Sequence, residues 1–264
     1  MQQQTARLSL GILGAGCIGT AIARAVADGR LDYELRHVVD SDPQRARELL
    51  AECAGGGEAA ELDQLCSECD VLVECAHPSA VPELISRARE LATGRSPQQH
   101  IVVLSVGGLL DVSFEDRPAS EPAVHVPSGA LGGLDAVLAL RQAGLDSVEL
   151  TSRKPPAGLG LEVTEETVVF EGTAAEVIRL YPKNTNVAVA LSLAGIGPER
   201  TRMRLIADPA IDRNIHQLVA RGAAGEVEFT SRNVPFPENP KTSYLAALSA
   251  IAVLGNLGSG LRIG

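Results

Sequence analysis

The 264-residue sequence has no tryptophan, and its aromatic share is only 3%. Its core must therefore be aliphatic, assembled from Ala, Leu, Val and Ile, in a composition (45% hydrophobic, 21% charged) that is ordinary for a globular chain. Basic residues are the minority, 23 Lys and Arg against 33 Asp and Glu. The resulting charge of −10 argues against nucleic acid and anionic membrane as partners, since both require basic patches. No apolar run reaches the ~18 residues of a membrane span. The opening Met1-Gln2-Gln3-Gln4-Thr5 lacks the charged and apolar regions of a signal peptide. Cysteine is scarce: five residues, an odd number, all between Cys17 and Cys75, a pattern that fits a reducing cytoplasm and not a disulfide framework. Cys66-x-x-Cys69 has no second such pair and no histidine pair to complete a tetrahedral site, so no metal is expected. Neither an internal repeat nor a low-complexity tract is present.

What is there begins with Leu8 to Gly19, an apolar run that breaks into glycines and restarts as a helix. Ile18, Ala21, Ile22, Ala25 and Val26 recur at the spacing of a helix packed on a sheet. Gly14-x-Gly16-x-x-Gly19 thus lies between strand and helix, as a dinucleotide fingerprint must. Gly14 makes the turn, Gly16 admits the pyrophosphate, and Gly19 allows close helix–strand packing. Cys17 and Ile18 complete the loop at the helix N-terminus, whose free N–H groups and positive dipole end favour phosphate. A second strand over residues 34–40 ends in Asp40, 21 positions after Gly19. That is about the ~20-residue spacing at which an acid receives the adenosine ribose hydroxyls. Asp40 favours NAD, while Ser41 and Arg45 keep NADP open, since an arginine there neutralises a 2′-phosphate.

Helices are expected over 43–53 and 80–91, and buried strands over 70–76 and 101–105. This alternation predicts an α/β, doubly wound parallel (Rossmann) sheet over residues 1–126, whose strand ends at Gly14, Asp40, Ala76-His77 and Ser105 face one cleft. From residue 127 the pattern changes to alternating strands (147–151, 167–170, 202–207, 227–230, and one around His216) with interleaved helices (134–141, 174–180, 187–193). Residues 127–240 read as a smaller α+β domain with a mostly antiparallel sheet, a candidate catalytic and oligomerisation domain suited to a homodimer. A proline-rich linker, Pro235 to Pro240, leads to a terminal helix within 241–264 that returns to the first domain with Leu245, Leu248, Ile251 and Ala252 on its packed face.

Of five histidines, His216 is the acid/base candidate, although a lone strand histidine is more often structural. His77 follows the third strand at the expected nicotinamide end; His37, His100 and His125 read as structural. Arg153-Lys154 is either a clamp for a dicarboxylate or a solvated pair. Ser128-Gly129 either presents backbone N–H groups to a carboxylate or is a tight domain-crossing turn. Asn184 and Asn186 flank a helix start and serve a ligand, a cap or both.

Together these stretches resemble the L-aspartate dehydrogenase family of homoserine-dehydrogenase-like two-domain oxidoreductases. The resemblance covers nearly the whole chain. It rests on the glycine fingerprint at 14–19, Val-Pro-Ser-Gly-Ala-Leu-Gly-Gly at 126–133, Thr-Ser-Arg-Lys-Pro at 151–155, and Tyr-Pro-Lys-Asn-Thr-Asn-Val-Ala at 181–188. Asp-Pro at 208–209, Asn-Ile-His at 214–216 and Asn-Pro-Lys-Thr-Ser at 239–243 complete it. The resemblance implies a catalytic role for His216 and cofactor contacts at Ala130 and Asn186. It also implies NAD(P)-dependent conversion of L-aspartate through iminoaspartate to oxaloacetate and ammonia, the imine being able to feed NAD biosynthesis. The segment Cys75-Ala76-His77-Pro78 departs from it, carrying larger residues than expected before the helix. Another amino-acid or homoserine-type dehydrogenase, or a non-catalytic NAD sensor, are the competing readings.

Overall fold

The computed structural model of the protein describes residues 7–53, 56–91, 97–115, 118–181, 185–259 and 261, the side chains of 240 and 241 excepted. The chain forms two compact units. One runs up to Pro127 and resumes at Ala250; the other extends from Ser128 to Ser249.

The first unit contains β1 (Leu8–Leu13), α1 (Cys17–Ala27), β2 (Tyr33–Val39), α2 (Pro43–Cys53), β3 (Glu58–Ala59) and α3 (Leu62–Glu68). It continues with β4 (Val71–Glu74), α4 (Val81–Leu91), β5 (His100–Val103) and β6 (Ala123–His125). The strands form one sheet in the order β3-β2-β1-β4-β5-β6, and every pairing is parallel. The order reverses between β1 and β4, the switch point at whose carboxyl ends ligands bind in such sheets. Successive residues of β1 face opposite sides. Leu10 and Ile12 join Ile22, Ala23, Ala46 and Leu49 of α1 and α2 in one core. A β-carbon on Gly11, facing the other way, would meet Leu65 and Cys69 of the α3 side at 2.9 Å. The buried stripe of α1 is Gly19, Ile22, Ala23 and Ala25, so Ile18 and Val26 border it and do not lie at its centre. The short edge strands β3 and β6 had no counterpart in the sequence pattern.

The second unit contains α5 (Leu134–Arg141), β7 (Leu145–Lys154), the single turn α6 (Pro156–Leu159), β8 (Thr167–Thr173), α7 (Ala174–Leu180), α8 (Asn186–Ala194), β9 (Arg202–Ala207), β10 (Asn214–Gly222) and β11 (Gly225–Asn233). Its sheet has the order β11-β10-β7-β9-β8, antiparallel except for β7 with β9. Leu150, Met203, Leu205, Leu218 and Ala220 form the sheet side of an aliphatic core with Val137 of α5, Val177 of α7 and Leu191 of α8.

The expected linker is instead a small hairpin, β12 (Pro235–Phe236) with β13 (Asn239–Ser243). Phe236 is buried and meets Tyr244 edge-on at 5.3 Å, which gives this proline-rich stretch an anchor. The last helix, α9 (Tyr244–Leu257), also departs from the expected face. Ala247, Ser249, Ala250 and Leu254 are its buried residues and Ile251 packs partly buried beside them, while Leu245 and Leu248 remain 38% exposed. Ala250 and Leu254 join the first unit's core, and the Tyr33 hydroxyl donates to the Leu254 carbonyl at 2.7 Å.

Candidate active site

In the first unit the glycine loop leaves β1 with Gly14 at φ +108° and its N–H donating to the Val39 carbonyl at 2.7 Å. A β-carbon at Gly14 would lie 2.8 Å from the Cys75 and Ala76 backbone, and one at Gly19 would lie 2.1 Å from the Gly14 carbonyl oxygen. Gly16 is different: a β-carbon there meets nothing nearer than Arg45 Nη2 at 4.0 Å. The loop is closed on its protein side and open at Gly16, ahead of Cys17 and Ile18 at the N-terminus of α1, the shape a pyrophosphate needs.

Asp40, whose side chain is only 7% exposed, turns toward this loop. One carboxylate oxygen accepts the Ala15 N–H at 2.7 Å and the other accepts the Asp42 N–H at 3.0 Å. The second also receives the Ser41 hydroxyl at 3.5 Å, and the first keeps a lone pair for a ribose hydroxyl. Arg45 donates to the Ala15 carbonyl at 3.3 Å and approaches Asp40 to 3.9 Å. Beside them opens a cleft of about 570 Å³ whose walls include Leu13, Asp40, Ser41, Ala60, Leu62 and Ala80, large enough for an adenosine moiety. These residues fit a dinucleotide cofactor.

At the ends of β4 and β5, Ala76 and His77 are exposed. The His77 ring accepts the Ser79 N–H at 3.3 Å, capping the turn that precedes α4. Beneath them lies a residue that the sequence pattern did not single out. Glu74 is fully buried, and its carboxylate joins the two strand ends by accepting the Ala76 and Ser105 N–H groups, each at 2.9 Å. Burial pushes its carboxyl above the ordinary range, and these hydrogen bonds oppose the shift. Its one sequence signal is an acid closing the apolar run Val71-Leu72-Val73.

In the second unit His216 lies on β10 directly opposite Ser152 of β7 and Ser231 of β11. The Ser152 hydroxyl is 2.8 Å from His216 Nδ1, and Nε2 has no hydrogen-bond partner among the described residues. His216 and Ser152 are 3% and 2% exposed. Lys154, two residues beyond Ser152, shares its face of β7 and is also buried. Burial lowers the Lys154 ammonium to about 8. Burial, then the Lys154 charge, lowers His216 to about 3, so the imidazole is neutral at physiological pH.

Arg153 and Lys154 do not form a clamp, because adjacent strand residues face opposite sides. Arg153 pairs with Glu166 and lies 3.7 Å from Asp208. The Ser128–Gly133 turn is held by Ser231 and Asn233, whose side chains both donate to the Ala130 carbonyl at 2.9 Å. The Gly129 N–H donates to the Ser249 hydroxyl at 3.1 Å, so it is not aimed at an anion in this arrangement. Asn186 is exposed and opens α8, with Thr185 in the cap position; Asn184 lies outside the described residues. His100 and His125, expected as isolated structural residues, face each other across β5 and β6 at 3.0 Å. Cys66 and Cys69 are buried, and burial raises the Cys66 thiol to about 12. No group of three potential metal ligands converges among the described residues, and among them no helix is long and apolar enough to cross a membrane.

The family model described as the homoserine dehydrogenase NAD binding domain matches residues 14–117, and that of the aspartate dehydrogenase C-terminal region matches 135–257. The chain is 41% identical to the L-aspartate dehydrogenase of Methanosarcina mazei, with 97% of this chain and 99% of that one covered. It is 38% identical to the one of Methanothermobacter thermautotrophicus, covering 97% and 98%. Among solved structures, aspartate dehydrogenase from Thermotoga maritima superimposes with a TM-score of 0.77 at 30% identity, covering 98% of this chain and 100% of that one.

Proposed function

The chain belongs to the L-aspartate dehydrogenase family of nicotinamide-dependent oxidoreductases, and from that premise we propose that it interconverts L-aspartate with oxaloacetate and ammonia through iminoaspartate. The observation that carries the reaction is the buried, neutral imidazole of His216 on the same sheet face as Lys154.

The aspartate ammonium must lose a proton before its Cα–H bond can be broken oxidatively. His216 Nε2, neutral and without a hydrogen-bond partner among the described residues, is the group that takes this proton. Lys154 receives a substrate carboxylate, and that anion also offsets the lysine charge, making His216 more basic when substrate is bound. Gly14, Gly16, Cys17, Ile18, Gly19 and Asp40 would hold the pyrophosphate and adenosine ribose of a nicotinamide dinucleotide, with Ala76, His77, Ala130 and Asn186 as its further proposed contacts, and the cofactor would supply the two-electron acceptor. Once that proton has passed to solvent, His216 takes a proton from a water whose oxygen bonds to the imine carbon, and returns it to the nitrogen as the C–N bond breaks, which leads to oxaloacetate and ammonium. In the reverse direction the same imidazole returns the protons. Ser128 and Gly129 shape the turn that carries Ala130.

Asp40 makes NAD the preferred cofactor, with NADP admitted through Arg45. A homodimer built through the second unit, a cytoplasmic location and delivery of iminoaspartate to NAD biosynthesis complete the proposal. The test is oxidation of NADH and NADPH with oxaloacetate and ammonium, for wild type and His216→Ala. We expect wild-type turnover and a loss of ~10²-fold or more in the variant, with cofactor binding retained. A wild type that binds NADH yet leaves it unoxidised would overturn the assignment in favour of a cofactor sensor.

A further inference from the structure

We propose that Ser152 is a positioning residue that sets the tautomer and direction of His216, an inference that rests on His216 as the base. Its hydroxyl meets Nδ1 at 2.8 Å across a directly opposed strand pair, and both side chains are almost completely buried. The ring is thus held by one nitrogen, while Nε2 has no partner among the described residues.

A neutral imidazole is a base at Nε2 only in the tautomer with its proton on Nδ1. Ser152 accepts that Nδ1–H, so the Nε2 lone pair is the one presented for chemistry. When Nε2 gains a proton, Nδ1–H still donates to the same oxygen and no hydrogen bond is broken. Return of the Nε2 proton to the substrate regenerates the same Nδ1–H tautomer, with the hydrogen bond to Ser152 still in place. A carboxylate in this position would pin Nδ1–H as well, but its charge would attract Lys154 and hold the ring cationic. The neutral hydroxyl orients the base without adding a negative charge beside Lys154. Residue type alone gave no hint of this pairing, because the two residues are 64 positions apart and Ser152 sits in an otherwise polar stretch.

The experiment compares Ser152→Ala, Ser152→Thr and His216→Ala in the full chain, following kcat and KM for L-aspartate against pH, with NADH affinity measured separately. Ser152→Ala is expected to lower kcat about tenfold or more and to move its acidic limb, with NADH affinity unchanged. Ser152→Thr restores the hydroxyl and returns kcat to within a few-fold of wild type. If Ser152→Ala keeps the wild-type kcat and pH profile while His216→Ala loses activity, the role of Ser152 is overturned and the role of His216 stands. If His216→Ala is fully active, both fall. Nitrogen-15 NMR of His216 in the wild type, with succinate bound, decides the point even if the alanine variant does not fold. A proton on Nδ1 supports the proposal, and a proton on Nε2 with bare Nδ1 overturns it.

Discussion

Gly14 and Gly19 touch so closely that a β-carbon on Gly19 would lie 2.1 Å from the Gly14 carbonyl oxygen, while Gly16 between them has open space. The two later glycines of the fingerprint therefore serve different ends. Gly19→Ala forces the helix off the strand and is expected to destabilise the first unit by about 3 kcal/mol or more, at the upper range of overpacking. Gly16→Ala is expected to melt within a few degrees of wild type, yet to weaken NADH binding at least about tenfold by placing a methyl where the pyrophosphate approaches. Thermal unfolding and NADH fluorescence titration separate the two. Equal melting temperatures for the pair would contradict the division of labour.

Asp40 governs the choice of cofactor through its charge. A 2′-phosphate would bring a second anion to its carboxylate, a repulsion on the order of 1–4 kcal/mol for charges near 4 Å in solvent-accessible surroundings. Wild type should bind NADH more tightly than NADPH. Asp40→Ser should shift the ratio of the two dissociation constants toward NADPH by at least about tenfold, and Arg45→Ala should weaken NADPH alone. Because Asp40 also holds the Ala15 N–H, both affinities can drop in the serine variant; the ratio is the readout. An unchanged ratio would remove Asp40 from cofactor discrimination.

The first unit's architecture was legible because β1, β4 and β5 are short apolar runs and β2 alternates before closing on two valines, each ending at a glycine, an acid or a polar turn, as at Gly14 and Asp40. Its edges were not: β3 is two residues long and β6 three, too short for any period to register. In α9, Ala247 and Ala250 pack while the leucines at 245 and 248 stay exposed, so size misled where burial depended on neighbours far away in sequence. His216 was legible as a residue type, and the structure adds Ser152 and Lys154 beside it through strand register. Register is a long-range property that one strand's sequence does not carry. Glu74 was hidden for a similar reason: its partners are backbone N–H groups, which have no residue signature.

Glu74 predicts a pH-dependent contribution to stability. Glu74→Ala leaves the Ala76 and Ser105 N–H groups without their acceptor; the buried Ser105 donor alone costs about 1–3 kcal/mol, so a loss of at least that size is expected in urea unfolding. The carboxyl is raised above its ordinary 4.5 in the folded state, which therefore binds more protons than the unfolded chain just above that pH. Stability from this group falls as pH rises through that window. The difference between wild type and variant should accordingly narrow across it. A difference that widens with pH would show that the hydrogen bonds outweigh the burial.

The Lys154–His216 pair predicts how substrate tunes the base. His216 is held at about 3 in the folded chain against an ordinary 6.5. Between those values the unfolded chain binds a proton that the folded chain does not, so stability falls as pH drops through the window, and His216→Ala should flatten that slope. Lys154 is held at about 8 against 10.5, so below pH 8 the fold carries a buried cation. Stability should rise between pH 8 and 10.5, and Lys154→Met should stabilise the chain at neutral pH by up to about 3 kcal/mol. The same substitution should raise KM for aspartate at least about tenfold, since it removes the carboxylate's partner. Saturating wild type with succinate should move the His216 titration upward, because an anion beside Lys154 offsets the charge that, after burial, helps to depress it. NMR titration of the His216 ring with and without succinate measures this directly. A titration that stays in place, with succinate demonstrably bound, would show that the substrate carboxylates lie elsewhere and that Lys154 is a structural cation.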